Sequence, residues 1–372
     1  MPLFTTHHPP STSHRFPMNR RDFLHPRRLA QAAGQVLGAL DEINSLAATP
    51  PSEDVALLRF SRRAMATTFE VLLPCGTPLA AAGAEEALDA IDRLEAQLTV
   101  YRDESEVSRL NRYAATSWIT VEAGLFDLLS LSARLNADTQ GAFDIAVGAL
   151  IKAWGFYRQR GRVPADEERA EVLPRSGMAH VQLDHERCAV RYDVRGLEIN
   201  LGSIGKGYAL DRAADLLCER WAVRSCLLHG GHSSILVRGD QWPGERRGWP
   251  VGVRHPWQRE RRLAVLWLRD RALATSAATF QHLEYNGRKL GHILDPRTGW
   301  PAEGMASATV LAPTAAEADA LATAFFILGV EEAREYCAAH PEVGALLLPA
   351  GENAKPVVVG LAPDEIDLRE AS

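Results

Sequence analysis

Residues 197–237, LEINLGSIGKGYALDRAADLLCERWAVRSCLLHGGHSSILV, decide the fold. A short alternating run, Leu197–Leu201, meets a glycine-rich junction and gives way to helical spacing over about Lys206–Arg220. Two more short runs follow, Ser225–Leu228 and Ser234–Val237, on either side of Gly230-Gly231. Working outward, Phe69–Leu73, Cys188–Tyr192 and Leu263–Leu268 read as further strands. Helical spacing returns at Ala84–Leu98, where Ala87, Leu88, Ile91, Leu94 and Leu98 share a face, at Glu122–Asp138 before Gly141, and at Ala315–Leu328. Strands and helices do not alternate regularly. The class is therefore α+β, with mixed, largely antiparallel sheets and flanking helices, and no doubly wound α/β sheet. No internal repeat is present.

The chain has 372 residues, 46% hydrophobic and 24% charged, enough for a large core. A net charge of −6 without a concentrated basic face argues against nucleic acid as a partner. The five cysteines, Cys75, Cys188, Cys218, Cys226 and Cys337, are widely spaced and form no CxxC, so neither a disulfide framework nor a zinc site is expected. Residues 1–56 read as a leader. Arg20-Arg21 with Phe23 and Leu24, in MNRRDFL after Met18, has the look of a twin-arginine signal with Met18 as an alternative start. The following LAQAAGQVLGAL is weakly hydrophobic and lacks a clear cleavage site. Localisation stays open: exported to the periplasm or cell envelope if that signal acts, cytoplasmic otherwise. No apolar run of about 18 residues exists, so no transmembrane helix is expected. A single folded domain is expected over 57–360, with a tail at 361–372.

Four segments can carry chemistry, and each also has an ordinary structural reading. Gly202-Ser203-Ile204-Gly205-Lys206-Gly207 stands at a strand-to-helix junction, where glycines let backbone approach a phosphate and a helix N-terminus offers unpaired N–H groups. It serves equally as a tight turn with a solvated lysine. In PTAAEADALAT, Thr314 and Glu317 have capping-box spacing, and Asp319 and Thr323 lie four apart on one helical face. A carboxylate beside a hydroxyl suits Mg²⁺, which takes only one or two protein carboxylates. Asp319 can instead favour the helix dipole, with Thr323 filling a packed face. In GHILDPRTGWP, His292 on a short strand before an Asp-Pro turn can accept a hydroxyl proton near neutral pH, or be structural. Finally Met65, Tyr101 and Phe143 can offer apolar surface to a flat ring and Asp144 an acceptor, or these residues can pack the core.

Taken in order, MATTF, VYRDESEVSRLN, TQGAFDIAVGALIKAWGF, INLGSIGKGYALDRAADLL, LLHGGHSSI, GHILDPRTGWP and ATVLAPTAAEADALATAFFILG resemble the ApbE family of FAD:protein FMN transferases over roughly residues 60–350. The resemblance implies an ApbE-like fold. It also implies a Mg²⁺-dependent transfer of FMN from FAD onto a Ser or Thr of an acceptor flavoprotein, with release of AMP. Carried over by position, it implies flavin or nucleotide contacts at Met65, Tyr101, Ala142, Phe143, Asp144, Asn200, Lys206 and Leu294. Metal ligation falls on Ser203, Asp319 and Thr323, and the catalytic base on His292, within a motif that also contains Asp295.

The chain departs from the family pattern in places. His232 follows Gly230-Gly231 where an acidic residue is common, Thr275-Ser276-Ala277-Ala278 replaces T-S-G-D or T-S-G-N, and Ser203 and Gly205 stand for the usual Gly and Ala. Two other readings accompany the transferase. One is an FAD pyrophosphatase, in which water replaces the acceptor and the products are FMN and AMP. The other is a non-enzymatic FAD-binding protein, motivated by the altered segments.

Overall fold

A computed structural model describes residues 56–158, 161–242, 247–258, 261–277, 283–285, 288–351 and 353–368. The expected twin-arginine leader and Ala278 lie outside the described residues. The principal sheet has eight strands, β1 (Leu57–Ala64), β2 (Thr67–Pro74), β3 (Cys226–Gly230), β4 (Ser234–Arg238), β5 (Ala272–Ala277), β6 (Met305–Ala312), β7 (Gly344–Pro349) and β8 (Val357–Val359). Their spatial order is their chain order. Every neighbouring pair is antiparallel. The expected α+β class with antiparallel sheets is observed, and the other described elements are insertions between successive strands of one meander, apart from a last strand at Ile366–Leu368 that follows it.

Alternation along the strands divides the interior into two layers. Phe69, Val71, Leu228, Leu236, Ala274, Val310 and Leu347 face a core shared with helices, α1 (Ala80–Leu98), α2 (Glu106–Tyr113), α3 (Ala123–Asp138), α4 (Gly205–Arg220) and α5 (Ala315–Leu328). Val237, Leu273, Leu311, Leu346 and Leu348 face the opposite way, onto a three-stranded sheet of Trp249–Arg254, Arg262–Leu268 and Ile366–Leu368. Because both faces of the principal sheet are covered, β6 is buried at all eight positions. The third strand of the smaller sheet corrects the expected C-terminal tail: residues 366–368 pair with 264–266, and Arg271 holds Glu365 at 2.6 Å.

Most expected elements are found. α5 has the predicted bounds, and its start is a capping box in which Thr314 Oγ1 accepts the Glu317 N–H and donates to the Glu317 carboxylate. α1 begins one turn before Ala84, following Leu79 in the left-handed region. Leu197–Leu201 is the exception. It is extended but joins no ladder, because the Asn111 side chain, from α2, accepts the Ile199 N–H at 2.7 Å and donates to the Ile199 carbonyl at 2.9 Å. The Asn200 N–H goes to the Ile145 carbonyl and the Glu198 carbonyl accepts from Gly148. A side chain and two loop peptides satisfy the backbone groups that a neighbouring strand would otherwise occupy.

α4 and α5 cross at their N-terminal ends in backbone contact. A Cβ on Gly207 would stand 2.0 Å from the Ala315 carbonyl oxygen. Each helix also lends a carboxylate to the other's unpaired N–H groups. Asp319 of α5 accepts from Gly207 N–H of α4 at 2.7 Å, and Asp211 of α4 accepts from the Ala315 and Ala316 N–H groups of α5 at 2.7 and 2.8 Å. Gly207→Ala is therefore expected to force the helices apart and lower unfolding free energy by about 3 kcal/mol, the upper end of the overpacking range. Urea denaturation measures it, and a loss under about 0.5 kcal/mol would show that the crossing yields easily.

Candidate active site

Two adjoining cavities open where the extended 197–201 segment turns into α4. The first, about 290 Å³, is lined by Met65, Ala66, Leu98, Val100, Tyr101, Asn200, Gly202 and Lys206, among others. The second, about 390 Å³, has Ala142, Asp144, Asn200, Ser203, Lys206, Ser276, His292, Leu294, Asp319 and Thr323 in its wall. Asn200, Gly202 and Lys206 belong to both. The N-terminal turn of α4 is the partition between them, so the Lys206 ammonium can serve either side, while the Gly205 and Gly207 N–H groups are taken by the Leu201 carbonyl and by Asp319.

The first cavity is the more apolar. Met65 and Ala66 both have positive φ, 48° and 60°, and form the tight turn between β1 and β2 that delivers Met65 to the cavity. Tyr101 is 67% exposed and its ring rests on Tyr157 at 4.7 Å, while the Tyr157 hydroxyl donates to the Val100 carbonyl at 2.6 Å. Tyr157 had no sequence signal beyond its aromatic type, yet it fixes the ring whose face the cavity presents.

The second cavity gathers the polar groups. Asp319 is nearly buried, and its Oδ1 accepts the Ser234 hydroxyl at 2.5 Å while Oδ2 accepts the Gly207 N–H and lies 3.6 Å from Lys206 Nζ. Thr323 Oγ1, one turn along, reaches the Asp319 carbonyl at 3.4 Å and the Ser276 hydroxyl at 3.2 Å. Asp319 and Thr323 thus share a wall as the i, i+4 spacing predicts. Ser203 lines the same space from the α4 side. Every one of these donors is a hard oxygen. One carboxylate with hydroxyls is a set that fits a hard cation such as Mg²⁺, which takes only one or two protein carboxylates; among the described residues no group of three or more His, Cys, Asp or Glu could hold a metal.

His292 is exposed at the rim, two residues before the short strand Leu294–Asp295 rather than on it. That strand pairs with Trp300–Pro301 across a turn closed by Asp295, whose carboxylate accepts the Arg297 N–H and two guanidinium N–H groups at 2.9–3.0 Å. Asp295 and Arg297 therefore shape the hairpin that carries Leu294 into the cavity. Asn200 Oδ1 accepts the Gly202 N–H at 2.9 Å, tightening the same junction.

Two expectations change. Phe143 is fully buried in the helical core and lines neither cavity, so it is a packing residue and presents no stacking surface to a ligand. Asp144 reaches the wall, but its carboxylate already accepts from Ala146 N–H at 2.7 Å, Met178 N–H at 2.9 Å and Asn136 at 3.0 Å. Burial is the larger influence and raises its pKa, against those three donors. It pins the 142–147 loop beside Ala142. Ser234, Ser276 and Asp211 were missed as site residues, because short polar residues in a strand or helix carry no periodic signal and act here through partners far along the chain; Gly207 belonged to the glycine-rich segment, but its close approach is to α5.

The chain is similar to known proteins in sequence and fold. The model of the ApbE family matches residues 65–347. The chain belongs to the ApbE family. An FAD:protein FMN transferase of Klebsiella pneumoniae is 32% identical over 72% of this chain and 76% of its own length, and one of Escherichia coli K12 is 33% identical over 67% and 70%. The crystal structure of the ApbE protein of Thermotoga maritima superposes with a TM-score of 0.74 at 28% identity, covering 82% of this chain and 97% of its own. The apo form of the Pseudomonas stutzeri flavinyl transferase ApbE gives 0.73 at 26%, covering 83% and 96%.

The departure at His232 lies apart from this family site. His232 has a positive φ of 61° and lines neither cavity; its ring stacks on His229 at 4.6 Å. His229 holds the Glu70 carboxylate at 2.7 Å, on the sheet face away from the helices, and Arg59 pairs with the other oxygen. Burial acts to raise the Glu70 pKa, but the bonds from His229 and Arg59 outweigh it and hold the group at about 2 instead of 4.5. A depressed carboxyl stabilises the fold fully above its ordinary value and loses that contribution as pH falls towards about 2. Urea denaturation between about pH 6 and about pH 2 should cost the wild type roughly 3 kcal/mol more than it costs Glu70→Gln. Equal losses in the two proteins would show the ion pair to be indifferent.

Proposed function

We propose that this protein transfers FMN from FAD to a Ser or Thr hydroxyl of an acceptor protein, with Mg²⁺ in the second cavity. The observation that carries the reading is the paired cavity: ring-sized apolar surface at Met65 and Tyr101 on one side of the α4 N-terminus, and Asp319, Thr323, Lys206 and His292 on the other. Relatives named FAD:protein FMN transferases, alike over most of both chains, support it.

FAD is the substrate. Its pyrophosphate meets positive charge at Lys206 and at the α4 N-terminus, with Asn200 and Gly202 shaping the passage between cavities. His292 accepts the proton of the acceptor hydroxyl as that oxygen bonds to the FMN phosphorus. The bond from this phosphorus to the bridging oxygen breaks, AMP leaves with that oxygen, and a phosphoester to the acceptor remains. Asp319 and Thr323 would hold the metal together with Ser203, and bound Mg²⁺ supplies neutralisation of pyrophosphate charge. Lys206, within 3.6 Å of Asp319 and beyond a close ion pair, is free to turn to the phosphate.

Incubation of the purified protein with FAD, Mg²⁺ and a candidate acceptor is expected to yield acceptor carrying covalent flavin. Free FMN without attachment would make the protein an FAD pyrophosphatase, and unchanged FAD despite demonstrated binding would make it a flavin-binding protein. Thr323→Val, which keeps volume and spares the Gly207 contact, should lower turnover and raise the Mg²⁺ requirement. Asp319→Asn should lose activity by orders of magnitude, with some loss of stability because an amide cannot accept on both sides. His292→Ala should lose about 10²–10⁴-fold in turnover while retaining FAD affinity. Loss of affinity instead would make His292 a binding residue.

A further inference from the structure

α5 is buried nearly all round, and alanines occupy positions 315, 316, 318, 320, 322 and 324. Its large buried side chains, Leu321, Phe325 and Phe326, all follow Ala320, so the alanine-rich first turns offer few knobs to lock their register. Yet the site depends on register. Asp319 and Thr323 reach the second cavity only if α5 is turned so that this stripe faces α4, and a rotation of one residue would carry both away. Polar contacts therefore specify the direction of the first turns, where large side chains are lacking.

Three such contacts lie in the wall itself, Asp319 with Gly207 and with Ser234, and Thr323 with Ser276, and Arg134 of α3 reaches Glu317. A further one lies outside both cavities. Asp211 sits on α4 one turn beyond Gly207, and its two oxygens separately accept the N–H groups of Ala315 and Ala316. A carboxylate gripping two consecutive peptides fixes both the axial position and the rotation of the first turn. Asp319 follows Ala315 by one turn and Thr323 by two, so that grip sets their direction. Thr314, by contrast, caps the helix through Glu317 of its own first turn and ties it to nothing else through that bond.

We propose that Asp211 is a positioning residue for the transfer reaction, clamping the start of α5 to α4 so that Asp319 and Thr323 face the substrate cavity. The proposal rests on the function inferred above. It distinguishes two capping groups at one helix end: Thr314 stabilises the helix, whereas Asp211 also aims it.

The test compares Asp211→Asn with Thr314→Ala in the full-length protein, measuring thermal unfolding, FAD affinity by flavin fluorescence, and kcat against Mg²⁺ concentration. Asparagine retains one acceptor and turns an N–H donor towards the second peptide. It is expected to leave the protein folded and FAD affinity within about threefold, while kcat falls at least about tenfold and half-saturating Mg²⁺ rises by a similar factor, as a small misplacement of reacting groups does. Thr314→Ala is expected to lower the melting temperature with kcat and Mg²⁺ requirement unchanged. Wild-type kinetics in Asp211→Asn, its failure to fold, or an equal kinetic defect in Thr314→Ala would each overturn the proposal. A wild type that binds FAD but transfers no flavin would refute the functional reading and the proposal with it, whereas an active wild type beside an unaffected Asp211→Asn refutes the proposal alone.

Discussion

The crossing of α4 and α5 is the constraint on which the site depends. Gly207 lets the two backbones touch, and the touch places unpaired peptide groups of each helix beside a carboxylate of the other. Neither helix end is capped by its own chain alone: Ile204 before α4 offers no side-chain cap, and Thr314 takes only one of the first N–H groups of α5. Exchange of carboxylates supplies the remainder. The same crossing brings Lys206, one residue before Gly207, within 3.6 Å of Asp319. Site geometry and helix capping are thus one arrangement.

The sheet decides which side that arrangement faces. Ser234 and Leu236 of β4 point to the helices, Ile235 and Val237 to the smaller sheet, so the hydroxyl that holds Asp319 comes from the helical face. Alanines at 272, 274, 308 and 312 on the same face keep side chains short where α5 lies against β5 and β6. The opposite face buries Glu70 with His229 and Arg59, a paired carboxylate whose effect belongs to stability. The substitution at His232 therefore touches the second layer, not the pocket. The altered Thr275–Ala277 segment does reach the pocket, where Ser276 retains a hydroxyl against Thr323.

How much of this was legible in the sequence follows from the range of each interaction. Local signals held: the Thr314–Glu317 box set the start of α5, and the i, i+4 spacing put Asp319 and Thr323 in one wall. The ordered motifs brought Met65 and Tyr101 to one cavity and His292 and Leu294 to the other. Alternation at Leu197–Leu201 misled, because it reports burial on one side and says nothing about which groups take the peptide hydrogen bonds. Asn111, 88 residues away, takes them. Phe143 misled for a related reason: an aromatic beside a candidate site is as well suited to the core as to a ring ligand, and only tertiary placement separates the two. Gly207 signalled a close approach but not its partner, and Asp211 was silent, because their partners lie more than 100 residues along the chain.

Asp319 joins the two themes, since the carboxylate that holds the helix crossing is also the one proposed to receive a cation. Its oxygens already accept an N–H and a hydroxyl, and an ammonium stands near. Each carboxylate oxygen has two lone pairs, so one neutral donor per oxygen leaves capacity on both for a metal facing the cavity. Lys206 Nζ stands 3.6 Å from Oδ2, beyond a close hydrogen bond, and so leaves the outward lone pairs unclaimed. A frame of two neutral donors with a nearby cation is therefore suited to a residue proposed to stay anchored whether or not a divalent ion is bound. Had the lysine closed to a full ion pair, metal binding would first have to break it; at 3.6 Å it can turn to an incoming phosphate while Gly207 and Ser234 keep the carboxylate in place.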